Sequence, residues 1–426
     1  MEIWKHQSLG ANWLVERRRG ILGDEQGMGK TVTALLAARD ITPSPVKPLV
    51  ICPLSKVKDW SDHIVEWLGH KTTIVRSEKD LPDKWEGWLI CTFNRAGIDR
   101  QFFRQSDLII IDEAHKLRNR QTELFGAIRS VCGTSKPVFL LTATPIINSR
   151  IDIWTLLHLS QPIRFRSFWK FVQYYFKVRQ GAFAMEIGGF KRGKSEEWKQ
   201  LMKEMILSRY KSGSSHSRVS RQKVLHQMSV DQRSAYNGIK DEHALAKITK
   251  MLQAAIHPQL IDDDYNGKSK IDTLKGVLAS QSGHKTVIFT RYSSVVDMVI
   301  KEIPKSVPLK GSMTIKQRME SVDRLFNGSA DHLVCTHGVG GEGLNLTAAD
   351  RAIFLDLAWH PSGNLQALGR IDRPGQESRD LKCIVIHTKD SIEDHVADLV
   401  GKKIPVSVDN ILKKMQTDSA LSGLRT

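Results

Sequence analysis

The chain has 426 residues, 41% of them hydrophobic, and its 63 Lys and Arg against 46 Asp and Glu leave a formal net charge of +17. That length exceeds one ordinary core and points to two or three domains, while the basic surplus points to a polyanionic partner. No apolar run reaches the roughly 18 residues of a membrane span, and the scattered Cys52, Cys91, Cys132, Cys335 and Cys383 form no Cys-x-x-Cys pair. Buried reduced thiols are expected rather than disulfides or zinc. The opening MEIWKHQSLG has no apolar signal core, so a soluble, intracellular protein is expected.

In chain order, the first 150 residues alternate apolar strands with helical or turn segments. Strands are predicted at Ile21-Leu22, Pro48 to Cys52, Trp88 to Cys91, Leu108 to Ile111 and Val138 to Leu141, the rhythm of a parallel sheet covered on both faces. Between the first strand and an amphipathic stretch, Val32 to Arg39, lies GDEQGMGKT, Gly23 to Thr31. Gly27 and Gly29 can bring backbone N–H groups close to phosphate oxygens at a helix N-terminus. Lys30 supplies charge for the outer phosphates, and the Thr31 hydroxyl is placed for Mg2+. The strict phosphate-loop pattern wants glycine where Asp24 stands, and such strings also occur in ordinary turns.

A second signal is DLIIIDEAH, Asp107 to His115, an apolar run that ends in two carboxylates. A buried parallel strand looks like that, and α/β folds place ligands at its C-terminal end. Asp112 would hold Mg2+ and Glu113 would polarise the attacking water. A lone Asp-Glu pair after a strand is usually a solvated helix start. Two such signals, in order and each after a strand, favour a nucleotide hydrolase.

Residues 151 to about 211 read as helices. Gln161 to Lys223 holds 15 basic and 4 acidic residues and 11 of the 30 aromatics. A nucleic-acid surface is one reading. Phe168, Phe171, Val172 and Tyr175 stand at helical spacing, however, so most aromatics are assigned to packing and the Lys/Arg surplus to phosphates. KSGSSHSRVSRQK, Lys211 to Lys223, reads as a mobile hinge.

Helices are then expected from Val230 to about Ile261, followed by strands at Thr286 to Phe289, Leu333 to Cys335, Ala352 to Leu355 and Cys383 to Ile386. THGVGGEGLN, with Gly338, Gly340, Gly341 and Gly343, suits close approach to a phosphate or a moving loop. In QALGRIDRPGQ, Gln366 to Gln376, Arg370 and Arg373 are three apart and would share a helix face. Such a guanidinium pair can neutralise charge developing on a γ-phosphate, or form only a solvated face. A short helix and frayed tail end the chain. The expected organisation is 1–155 first lobe, 156–210 helical basic insertion, 211–229 hinge, 230–270 helical segment, 271–400 second lobe and 401–426 helix and tail.

With these stretches in view, the chain from about Ile3 to about Val396 resembles the Swi/Snf-related ATPases of helicase superfamily 2. WKHQSLGANWL, DEQGMGKT, LVICPLSKVKDW, ICTFNRA, IIIDEAH and LLTATPIINS are similar to the family's first-lobe motifs. KTVIFTRYSS, LKGSMTIKQR, Thr336 to Asn345 and FLDLAWHPSGNLQALGRIDRPGQ are similar to its second-lobe motifs, and the Ile256-His257-Pro258 turn matches too. The family carries aspartate at position 24. One departure is LSRYKSG, where the family commonly has paired arginines.

The resemblance implies an α/β fold of two RecA-like parallel-sheet lobes in tandem, with helical insertions between them, and ATP with Mg2+ as cofactors. Gln7, Asp24, Gly27, Met28, Gly29, Lys30, Thr31 and Gly343 would bind the nucleotide, with Thr31 and Asp112 at the metal. Lys30, Asp112, Glu113, Arg370 and Arg373 would be catalytic. His115, Thr142, Thr144 and Gln366 would couple nucleotide state to nucleic-acid contacts, and Lys56, Thr92, Asn345 and Trp359 would touch the DNA backbone. The implied activity is an ATP-dependent translocase on double-stranded DNA, acting as a monomer. A strand-separating DNA or RNA helicase and an ATP-gated DNA-binding scaffold remain as alternatives. With no histone-reading extension apparent, a minimal prokaryotic or phage motor in the cytoplasm is expected, or a nuclear one if eukaryotic.

Overall fold

The computed structural model describes residues 3–146, 149–181, 185–209, 218–240, 243–340, 344–358, 361–372 and 376–401. It comprises two units, Met1–Ser212 and Gly213–Thr426. The tail expected beyond residue 401 lies outside the described residues.

In the first unit the strands are β1 Arg19–Leu22, β2 Pro48–Cys52, β3 Thr72–Val75, β4 Trp88–Thr92, β5 Leu108–Asp112 and β6 Val138–Leu141. They are followed by β7 Phe176–Gln180, β8 Met185–Phe190 and β9 Ile206–Leu207. Seven of them form one sheet in the order β3-β4-β2-β5-β6-β1-β9, and every pairing in it is parallel. Successive residues feed opposite cores. Leu49, Ile51, Ile109, Ile111 and Leu140 enter one, whereas Val50, Cys52, Leu108, Ile110, Phe139 and Leu141 enter the other. Both faces are therefore dry, which is why these strands read as unbroken apolar runs.

The insertion expected to be all-helical is not. Helices Phe168–Tyr175 and Lys194–Met205 flank the antiparallel hairpin β7-β8. Phe176 and Phe190 stack across it with centroids 5.0 Å apart, and Val178 and Ile187 pack against the core. Alternation with Lys177 and Arg179 is a period-two signal that the dense charge of the segment hides. Phe171 and Val172 are buried, as the helical spacing predicted.

The second unit contains β10 Arg218–His226, β11 Thr286–Thr290, β12 Ser306–Leu309, β13 His332–Thr336, β14 Arg351–Phe354 and β15 Asp380–Thr388. They form a second wholly parallel sheet in the order β10-β15-β14-β11-β13-β12. Its two cores again take alternate residues, Val287, Phe289, Leu333 and Cys335 on one side and Ile288, Val334, Ile353 and Ile384 on the other. The hinge expected over 211–229 is corrected here. Residues 210–217 lie outside the described residues, but β10 pairs residue for residue with β15 from Arg218↔Asp380 to His226↔Thr388. A backbone ladder needs no apolar side chains on an edge strand, and charges there discourage pairing with other chains. All five cysteines are free and buried; burial pushes the Cys132 and Cys383 thiols up to about 12 and about 11.

One interior charge pair ties the C-terminal helix Ile392–Gly401 to this sheet. Lys270, fully buried, donates to Glu393 at 2.6 and 2.8 Å and to the carbonyl of Leu355 at 3.0 Å. Removing one member strands a buried charge, at a cost of about 3–5 kcal/mol. Lys270→Met should destabilise the second unit by that amount in urea unfolding, and adding Glu393→Gln should recover more than half. A loss below about 1 kcal/mol would mean that Glu393 finds water instead.

Candidate active site

β1 ends at Leu22, and the loop after it enters the helix Lys30–Asp40, which is buried from Val32 to Ala38. Gly27 and Gly29 have φ of 80° and 72°, a left-handed conformation strained for residues with a Cβ. Space is short at Gly29 as well, since a Cβ there would lie 2.2 Å from Gln7 Nε2. Gln7 is buried on the helix Lys5–Arg17, and its Oε1 accepts the Trp4 N–H at 2.9 Å. The helix carrying Gln7, one of the residues expected to bind the nucleotide, thus rests on the glycine loop. The Met28 carbonyl meets His6 Nε2 at 2.9 Å. Lys30 Nζ donates to the carbonyls of Asp24 and Glu25 at 2.7 and 3.2 Å, and Thr31 is half-buried in the helix's first turn. Free N–H groups and the helix dipole make such an N-terminus attractive to anions.

Asp24 is fully buried and faces Arg209. Its Oδ1 accepts the Arg209 backbone N–H at 3.0 Å and Nε at 2.9 Å, and its Oδ2 pairs with Nη2. The sequence drew attention to that segment only as a departure from the family's paired arginines.

At the end of β5, Asp112 Oδ2 accepts the Trp60 indole N–H at 3.0 Å and Oδ1 accepts the Glu113 N–H at 2.9 Å. Burial, and after it the Glu113 carboxylate, raises the Asp112 pKa above the ordinary carboxylate value; the Trp60 hydrogen bond, Lys56 and Lys30 oppose the rise. Trp60 was assigned no role from sequence, where it is one apolar residue of an amphipathic helix. Glu113 has φ 50°, a strained conformation that persists only where the surroundings enforce it. His115 Nδ1 lies 3.3 Å from Glu113 Oε2 and 3.0 Å from Thr142 Oγ1, which also accepts the Thr144 N–H at 3.1 Å. Because β6 lies between β5 and β1 in the sheet, the loops bearing these groups are neighbours.

The remaining expected residues are spread over both units. Lys56 pairs with Asp59 at 2.7 Å, and the Thr92 hydroxyl caps the helix Phe93–Ile98 by accepting the Arg95 N–H. Gln366 is half-buried on the helix Pro361–Leu368. That helix stops before Arg370, which corrects the shared helix face predicted for Arg370 and Arg373. Gly369 follows it, tight bonds from Arg370 N and Ile371 N reach back to Ala367 and Leu368, and Pro374 in the sequence cannot continue a helix. Arg370 is 2% exposed and its carbonyl accepts the Leu346 N–H. Asn345 Oδ1 accepts the Thr347 N–H at 3.2 Å. Gly343, Trp359 and Arg373 lie outside the described residues.

A glycine loop opening a buried helix, with paired carboxylates on a nearby strand of the same parallel sheet, defines a phosphate-binding α/β unit. The chain belongs to the SNF2-related family of helicase-type ATPases: residues 6–263 match the SNF2-related domain and residues 269–375 the helicase conserved C-terminal domain. ATP binding and hydrolysis follow from that membership, and each unit is an α/β lobe built on a parallel sheet. Among curated relatives, chromodomain-helicase-DNA-binding protein 8 of Xenopus tropicalis is 24% identical over 99% of this chain, which spans 22% of that protein's length. The uncharacterized ATP-dependent helicase YqhH of Bacillus subtilis is 29% identical over 97% of this chain and 81% of its own length. Among solved structures, the Sulfolobus solfataricus SWI2/SNF2 ATPase core in complex with dsDNA is similar over 95% of this chain and 91% of that chain, with 21% identity and a TM-score of 0.46. No helix among the described residues is long and apolar enough to cross a membrane.

Trp60→Phe removes a hydrogen bond that stabilises ionised Asp112, so the Asp112 pKa should rise further. The acid limb of the ATPase pH profile should then move to higher pH. An unmoved limb would show that Asp112 ionisation does not limit turnover there.

Proposed function

We propose that the chain is an ATP-dependent translocase on double-stranded DNA that couples hydrolysis to movement along the duplex. The observation that carries this reading is the continuous contact path Glu113, His115, Thr142, Thr144. A nucleotide-gated scaffold needs only the loop, whereas a motor needs the hydrolytic carboxylate connected to a neighbouring loop that can respond. The charge of +17 suits a phosphate backbone, and the chromodomain relatives are named for DNA binding.

The donor set fits ATP and Mg2+. Lys30 would exchange the Asp24 and Glu25 carbonyls for the outer phosphates, beside the turn that Gly27 and Gly29 make. Gln7 would read adenine, and Met28 and Gly343 would line the nucleotide. Thr31 and Asp112 would hold the metal ion, which supplies positive charge to the phosphoryl oxygens. Glu113 would orient the attacking water, and Arg370 and Arg373 would neutralise charge developing on the γ-phosphate. Gln366 joins the coupling residues, while Lys56, Thr92, Asn345 and Trp359 would meet the DNA backbone. Strand separation is the second reading, favoured by the hairpin β7-β8, since one hairpin can serve as a wedge.

Lys30→Ala should abolish ATP turnover while circular dichroism stays that of a folded protein; retained turnover would refute the phosphate role. Duplex DNA should stimulate hydrolysis more than single strands or RNA, and the motor should displace a triplex-forming strand without unwinding the duplex beneath. Unwinding would favour the wedge. Duplex affinity should fall with salt at a log–log slope of about −0.9 per phosphate contacted, and a flat dependence would remove the basic surface from the mechanism.

A further inference from the structure

Arg209 lies two residues past β9 and 185 positions from Asp24 in sequence, yet it is the point where three pieces of the nucleotide-binding unit meet. Its Nε and Nη2 hold the two carboxylate oxygens of Asp24, and its Nη1 donates to the carbonyl of His6. Backbone bonds reinforce the junction. The Arg209 carbonyl accepts the Glu25 N–H at 3.0 Å, and the Leu207 carbonyl accepts the Gly23 N–H at 2.8 Å.

Two glycines permit the approach. A Cβ at Gly10 would lie 2.6 Å from Arg209 Nη2, and one at Gly23 would lie 2.4 Å from Ser208 Oγ and 2.7 Å from Ile206 Cγ2. Neither has a positive φ, so the demand at both positions is for space rather than for a special backbone conformation. A fully buried carboxylate needs a partner that satisfies both oxygens, and a guanidinium fork does so with fixed geometry. The Asp24 backbone carbonyl in turn holds Lys30 Nζ, and His6 is the neighbour of Gln7 on the helix that rests against Gly29.

We propose that Arg209 is a positioning residue for nucleotide binding, locking the glycine loop and the Gln7-bearing helix in one register. The inference rests on the reading of the first unit as the ATP-binding half. Arg209 acts through Asp24 and His6, so its loss disturbs ground state and transition state alike. An interaction lost equally from both raises KM and leaves kcat nearly unchanged.

The test is steady-state hydrolysis with Mg2+ and saturating duplex DNA, together with the Kd of a fluorescent ATP analogue, for wild type, Arg209→Ala, Arg209→Lys and the isosteric Asp24→Asn. Arg209→Ala should raise both KM and Kd about tenfold or more, the scale on which a charge-assisted hydrogen bond counts, with kcat altered less than about threefold. Arg209→Lys keeps the charge but loses the fork and should fall between wild type and Arg209→Ala; this graded rescue is a signature that a merely structural role would not give. Unchanged KM and Kd in folded variants would overturn the proposal, as would a fall in kcat at constant KM. If Arg209→Ala does not fold, Arg209→Lys and Asp24→Asn decide by the same criterion. Wild-type protein that fails to bind the analogue would sink the ATP site itself, whereas normal wild-type binding with unaltered variants would sink only the role of Arg209.

Discussion

A parallel strand has to be covered on both faces, and in each unit that requirement orders everything else. Alternate residues of β2, β5 and β6 enter two separate cores in the first unit, and those of β11, β13 and β14 do so in the second. With both faces closed by apolar packing, polar chemistry is confined to strand ends. In the first unit β5, β6 and β1 are consecutive in the sheet, so the Asp112-Glu113 pair, the Thr142-Thr144 turn and the glycine loop emerge side by side at one edge. Their proximity is a consequence of strand order.

Carboxylates in these interiors divide into two kinds according to their partners. Asp356 is buried, which by itself would raise its pKa, but Arg291, His337 and Thr290 outweigh the burial and hold it well below the ordinary carboxylate range. Arg291 Nε reaches Asp356 Oδ1 at 2.9 Å and the Thr290 hydroxyl reaches Oδ2 at 2.7 Å. A carboxylate satisfied in this way is a structural tie. At Asp112 burial and the Glu113 carboxylate prevail over Trp60, Lys56 and Lys30, and the pKa rises. A carboxylate whose environment leaves its charge under-compensated is suited to receive a cation. Asp24 and Glu393 are each joined to a buried or half-buried cationic side chain.

Strain and hydrogen bonding meet at Glu113. Its left-handed backbone turns the chain sharply as β5 ends, and the same turn brings its carboxylate to His115 and, through His115, to Thr142. The Thr142 hydroxyl, fully buried, accepts the Thr144 N–H of its own loop. Loops linked by hydrogen bonds between adjacent strand ends can respond to one another without any change in the sheet.

The amino-acid sequence by itself determined the interior strands, the glycine loop, the carboxylate pair and the family. β2 and β6 have the predicted limits, and β4, β5, β11, β13, β14 and β15 differ by a few residues at their ends, because a strand buried on both sides must be an apolar run. Within the two parallel sheets the strands not recognised, β3, β9, β10 and β12, are the four edges. Edge strands are held by backbone bonds on one side and face solvent on the other, so side-chain polarity does not reveal them; β12 even carries Pro308, which an edge tolerates. Tertiary structure alone decided that a polar stretch read as hinge is β10, that the helix before Arg370 ends at Leu368, and that Asp24 closes on Arg209. Composition and spacing act over a few residues, while an ion pair between residues 185 positions apart, its carboxylate fully buried, exists only once folding has brought the partners together.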